Sequence, residues 1–399
     1  MIRDISLSRL DEKRAKQSIE IKQLAYVYRG GAHRVSAEVN GVLLWFESSD
    51  VLLCPHPEGF ASAFLVPALA GNIGLTIEGA LCPVWLSNVY ALMKIFGKWW
   101  GYKKILIKHL GGKVESEEKR TKTALCFTGG ADSFYTLLRC QRSIDYLIFI
   151  DGYDIALKDA DRLDLFHKSF KVIARETNTK AVVIKTNLRE HPVFSSVSWE
   201  RSHGTALAAI GHLISDVGCL LVSSSHPYAF PAPWGSHWKT DYLLSSGKLE
   251  IIHEGASLWR TQKLQKIADE PLVQKYLRVC WEHKNSKINC CQCEKCLRTM
   301  LVLIQCGKLD HFSVFADRGK IVELIDQLPY VKKNLFPVYQ AFCRDGLPSE
   351  IKISIRSLLN RSRREDLVSN PFLRHFFKWM WRPLPRAVRQ KIKNVLRLS

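Results

Sequence analysis

Residues 123–138, TALCFTGGADSFYTLL, begin as a β-rich apolar run, break at a threonine, two glycines, an acid and a serine, and resume with helical spacing. Glycines between a strand and a helix admit backbone conformations closed to other residues and let the main chain approach a ligand closely. The amides that follow open a helix, whose unpaired donors and positive dipole end suit a phosphate. Thr128 and Ser133 add hydroxyls, and Asp132 can cap the helix or help hold a magnesium ion beside the phosphates. The plain alternative is a glycine turn with Asp or Ser as an ordinary cap. Strand, helix and the TGGADS order arriving together favour a loop that holds an anion.

Outward from this loop the pattern repeats. TALCF, YLIFID, AVVIKT and CLLVSSS are short β-rich runs, separated by helical stretches such as DADRLDLFHKSFKVIARET and GTALAAIGHLISDVG. Such alternation predicts an α/β fold with a parallel sheet and helices on both faces, its ligands bound at the carboxyl ends of the strands near a switch point. TGGADS sits at one of those ends. Upstream, HRVSAEVNGVLLWFES alternates around Asn40-Gly41 and predicts a β-hairpin. Strand, helix and strand follow, with Pro83 in the first turn of the helix. The expectation is a small α+β domain over residues 1–110, a charged glycine-led linker at 111–122, an α/β domain carrying the anion-holding loop over 123–310 and a helical basic region over 311–399. No internal repeat is visible.

The second chemical signal is RVCWEHKNSKINCCQCEKCLRTM. Cys290, Cys293 and Cys296 are spaced C-x2-C-x2-C, and Cys280 stands upstream across nine intervening residues. Four thiolates match a closed tetrahedral zinc site, structural because no coordination position stays open. Buried thiols or a redox pair are the alternatives. Cys291 is a fifth thiol, either a bystander or a reactive residue.

The TGGADS order resembles the SGGxDS signature of PP-loop ATP pyrophosphatases, threonine replacing the first serine and keeping its hydroxyl; a Walker A loop is absent. Together with the four cysteines it is similar to the 7-cyano-7-deazaguanine synthase family over about residues 123–300. That family's zinc spacing is C-x8-C-x2-C-x2-C, one residue shorter. The resemblance implies ATP, magnesium and zinc, and attack on the α-phosphate by a carboxylate or amide oxygen. Pyrophosphate is released, and ammonia or an amine then attacks the adenylate. It places pyrophosphate on Thr128, Gly129, Gly130 and Ser133, magnesium on Asp132 and nucleotide on Asp151, with Arg201 and Lys263 touching phosphate or substrate. DGYD, ERSHGTALAAIGHLISDVGCLLVSSSHP and EIIHEGASLWRTQKLQKIAD are looser echoes of its middle. RNA thiolation, with Cys126 or Cys291 carrying sulfur, is a second enzyme reading. A degenerate nucleotide-binding scaffold is a third.

Other residues stay open between two roles. His203, His226, His237 and His253 fall in the stretch expected to form the cleft, and SSSHPYAFPAPWGSHWKTD is rich enough in proline and aromatics to cover a ring. Arg260 and Lys263 share a helical face suited to a carboxylate, a phosphate or plain solvent.

The 399 residues are 47% hydrophobic and 24% charged, which is globular and excludes a disordered scaffold. A formal charge of +20 favours anionic partners. Much of that excess lies in residues 351–399, where thirteen basic residues face two acidic ones. There Phe372, Phe376, Phe377, Trp379 and Trp381 interleave with lysine and arginine. This suits an anionic membrane surface, RNA, or a helix packed on the body. The amino terminus lacks a secretory h-region, so a cytoplasmic protein with reduced thiols is expected, peripheral at the inner membrane face if the tail reads lipid.

Overall fold

The computed structural model describes residues 18–111, 120–230, 232–282, 284–285, 287–316, 318–344 and 346–369. The aromatic, basic tail beyond 369 and most of the expected linker lie outside the described residues. The chain divides into two units, Met1–Asn289 with Phe312–Val314, and Cys290–His311 with Phe315–Ser399.

The first unit is α/β. Its strands are β1 (Ser18–Arg29), β2 (Ala32–Val39), β3 (Val42–Ser48), β4 (Gly74–Glu78), β5 (Ile107–Leu110), β6 (Lys122–Cys126), β7 (Tyr146–Asp151), β8 (Lys180–Thr186), β9 (Val217–Ser223) and β10 (Glu250–Glu254). Among the described residues they form one ten-stranded sheet in the order β10-β9-β6-β7-β8-β3-β2-β1-β4-β5. The β1/β2, β2/β3 and β3/β8 pairs are antiparallel and the rest parallel. The predicted hairpin is present: Val39 pairs with Val42 across Asn40 and Gly41, both at positive φ, which makes a primed turn that suits the twist of the strands.

The helices are α1 (Pro57–Gly71), α2 (Pro83–Trp100), α3 (Ala131–Cys140), α4 (Ala160–Glu176), α5 (Pro192–Ser195), α6 (Trp199–Leu213), α7 (Arg260–Ile267) and α8 (Pro271–Tyr276). Strand side chains alternate between two cores. Ala124, Cys126, Ile148, Ile150, Leu220, Val222 and Ile251 join α1, α2 and α6 in one. On the opposite face Phe127, Phe134, Phe149, Phe166 and Phe170 stack on one another between strands β6 and β7 and helices α3 and α4. Burying a phenylalanine side chain contributes roughly 2–3 kcal/mol, so this group anchors the floor beneath the TGGADS loop.

The division expected at residues 111–122 is corrected by the sheet. β3 pairs with β8 through Phe46 and Glu47, Leu53 bridges Ile214, and Asn187 bonds the backbone of Trp45 and Leu43. The apolar face of the amino-terminal strands is therefore completed by the later strands and helices, and residues 18–110 belong to the same sheet. The boundary falls instead between Asn289 and Cys290.

The second unit is helical, with α9 (Glu294–Gln305), α10 (Ile321–Gln327), α11 (Phe336–Phe342) and α12 (Ser349–Ser369). Buried Tyr339 donates to Glu294 at 3.0 Å. Arg361 of α12 donates to the carbonyls of Ile325 and Leu328, satisfying groups that the end of α10 leaves open. No described helix is long and apolar enough to cross a membrane.

Candidate functional site

β6 is flanked by β7 on one side and β9 on the other. The connections that leave it for β7 and β8 carry α3 and α4 on one face, whereas α6 leads to β9 on the opposite face. That reversal makes the carboxyl ends of β6 and β9 the switch point, where an open α/β sheet leaves a crevice.

TGGADS turns out of β6 at this point. Gly129 has φ +72°, and a Cβ there would stand 3.0 Å from the Phe166 ring and 3.4 Å from Arg278. Only glycine suits both the left-handed backbone and the space. Gly130, with φ −81° and ψ 165°, is the N-cap of α3 and lends no side chain to its first amides. Ser133 donates to the Gly130 carbonyl at 3.0 Å, and a Cβ on Gly130 would stand 3.3 Å from Thr128 Oγ1.

Two cations reach the first turn of α3 from α7. Arg260 donates to Asp132 Oδ2 through Nε at 2.7 Å and Nη2 at 2.6 Å. Lys263 Nζ stands 3.4 Å from Asp132 Oδ1, donates to the Ser224 carbonyl at the end of β9, and is buried. Burial pulls the Lys263 pKa down, and the charge of Asp132 opposes that shift.

Arg278 is the residue that the sequence did not reveal. Its backbone N–H donates to Gly129 O at 2.7 Å, its Nε donates to Thr128 O at 3.1 Å, and its Nη2 reaches Asp154 at 3.3 Å. The guanidinium lies over the Phe166 and Phe149 rings, and burial lowers its pKa. It clamps the loop from behind. An arginine two residues before a cysteine cluster, in a stretch without periodicity, carries no sequence signal of this role.

Two expected ligand residues are engaged elsewhere. Asp151 is buried at the end of β7 and pairs with His167 of α4 at 2.9 Å. Arg201 lies in the first turn of α6, exposed, donating to the Tyr102 hydroxyl at 3.2 Å with its guanidinium over Trp100.

The four histidines gather around the segment after β9. Buried Asp241 accepts from His253 Nδ1 at 2.7 Å, Ser236 Oγ at 2.6 Å and the backbone N–H of His237 at 2.9 Å. His237 accepts the Lys239 N–H on Nδ1, and burial pushes its pKa down to about 4. His203 bonds the Trp199 carbonyl at 3.0 Å. Rings then run from Tyr153 through Trp199, His203, Trp234, His226 and Phe230 to Trp259, with centroids 4.4–6.2 Å apart. The loop after β9 contributes His226, Phe230 and Trp234 to this run of rings.

The cysteine motif forms a second centre. One ligand atom from each of Cys280, Cys290, Cys293 and Cys296 lies within 4.8 Å of the others, and all four residues are buried. Cys290 and Cys296 sulfurs are 4.0 Å apart, against about 3.8 Å for the edge of a tetrahedron with 2.3 Å bonds. Cys290 Sγ accepts the Cys293 N–H and Cys293 Sγ accepts the Cys296 N–H, each at 3.4 Å, a pattern that stabilises thiolates. Asn289 fixes the approach, accepting from the Val279 and Cys280 amides and donating to Leu277 O. The set can bind a metal ion such as zinc. Cys291, buried at φ +58°, is outside this group of four.

No protein-family model, curated protein or solved structure matches the chain.

Proposed function

We propose that the chain is an ATP pyrophosphatase of the PP-loop kind that adenylates a carboxylate or amide oxygen and passes the activated group to ammonia or an amine. The observation that carries the reading is the convergence of Arg260 and Lys263 on the first turn of α3, beside a left-handed Gly129 at the switch point of the sheet. The substrate oxygen attacks the α-phosphorus, the bond to the bridging oxygen breaks, and pyrophosphate leaves with that electron pair. Amides of the Gly129–Ser133 turn would donate to the departing phosphates, and the two cations would offset the charge that builds on them. The amine then attacks the adenylated carbon, losing a proton, and AMP departs. Arg278 contributes by keeping the loop rigid, so little reorganisation accompanies the chemistry.

Magnesium would supply charge neutralisation on such phosphates, but a metal on Asp132 would stand beside Arg260 and Lys263, so this residue does not fit as its ligand in this arrangement. Zinc on the four cysteines would supply a structural cross-link. The aromatic rim after β9 is the surface we assign to a flat substrate group. A cytoplasmic setting, and contact of the tail with an anionic membrane or nucleic acid, remain part of the proposal.

The thiolation reading is disfavoured at Cys126, whose burial pushes its pKa up to about 12, so its thiol is inert. A scaffold would bind nucleotide without turnover. Incubation with ATP and a small-molecule extract should yield AMP and pyrophosphate in an extract-dependent way, and Gly129→Val should abolish both. Release of ADP and phosphate, or no dependence on the extract, would overturn the reading.

A further inference from the structure

Asp132 stands in the first turn of α3, where an acid gains from the helix dipole and, in a phosphate cradle, faces the same potential that draws the ligand. Its partners decide which effect governs its role. Lys263 is 1% exposed; it also meets the Ser224 carbonyl and the face of Tyr135, which carry no charge, and Glu254 adds a weaker attraction than Asp132 does. A buried cation needs an anion beside it, and Asp132 supplies one. Arg260 closes on the other oxygen with two nitrogens at 2.6 and 2.7 Å. A divalent metal on Asp132 would have to displace one of these cations or crowd against it, and would then sit beside like charge.

We infer that Asp132 is a built-in competitor of the polyphosphate for Arg260 and Lys263. The inference rests on the phosphate-binding reading of the loop. On binding, phosphate oxygens take the two cations from the carboxylate; on departure of pyrophosphate the carboxylate takes them back. The acid thus lowers affinity for pyrophosphate and speeds its release, which a reaction that leaves a tightly held product requires. A metal-ligand role predicts the opposite sign, because loss of the acid would then weaken binding and only when magnesium is present.

The test is calorimetric titration of the full chain with inorganic pyrophosphate, with magnesium and with a chelator, at constant ionic strength. Removing one negative charge a few ångströms from the phosphates should tighten binding about tenfold in Asp132→Asn under both conditions. Arg260→Gln should weaken it, and the gain from Asp132→Asn should shrink in that background, because part of the competition is gone. Asp132→Ser carries the same expected sign if the asparagine variant does not fold. Unchanged or weaker binding in the Asp132 variants overturns the inference while leaving the cradle standing. A wild-type chain that binds neither pyrophosphate nor ATP removes the cradle itself, and the inference with it.

Discussion

At the scale of single residues, burial sets the protonation of His212. His212 of α6 is 2% exposed and bonds the Leu244 carbonyl through Nε2 at 2.9 Å. Burial, aided by Arg120 and His56, pushes its pKa down to about 3. In an unfolded chain a histidine titrates near 6.5, so below that value the unfolded state holds a proton that the folded state does not. Stability is therefore lost as pH falls from about 6.5 towards 3, at up to about 1.4 kcal/mol per unit from this residue. His212→Gln keeps a donor for Leu244 and removes the titration, so its urea-unfolding free energy should depend less steeply on pH between about 6 and 4. Parallel slopes for the two proteins would show that His212 is not held neutral.

At the scale of elements, legibility followed chemistry. The Asn40-Gly41 turn, the Pro83 start of α2 and the four cysteines could be read from the chain because each depends on local conformation or on ligand type at short spacing. Cys293 is both the N-cap of α9 and one of the four sulfurs, so helix start and metal site depend on one side chain. Binding energy at such a site is folding energy, about 10–16 kcal/mol for structural zinc. Cys293→Ser should therefore lose the metal and open residues 280–305 to protease, with zinc counted by elemental analysis. Wild-type protein purified without chelator and carrying no zinc would refute the site. Arg278 and the Asp132 cation pair were not legible in that way, because their partners lie more than a hundred residues away.

At the scale of the first unit, the amino-terminal strands are continuous with the sheet that carries the TGGADS loop. α1 packs on α6, the Cys54 N–H donates to Leu213 O, and Phe46, Phe60 and Phe64 are fully buried. A chain beginning at residue 120 would expose the edge of β8 and the apolar side of α6. Such a truncated chain should aggregate or stay unfolded by circular dichroism and native gel. A soluble, cooperatively melting product would show that residues 123–289 form an independent domain after all.

Local sequence carried the parallel strand and helix alternation of residues 123–223, the glycine turn at 128–133, and the four-cysteine set that can bind a metal ion. Each follows from local propensity, backbone freedom or ligand chemistry, which act over a few residues. Only the tertiary structure decided that one sheet runs from β10 to β5. It also decided that Asp151 and Arg201 turn to His167 and Tyr102, and that Asp132 lies against Arg260 and Lys263. Those outcomes depend on which apolar edge finds which partner and on where burial strips water from a charge. Neither quantity is set until distant parts of the chain have met.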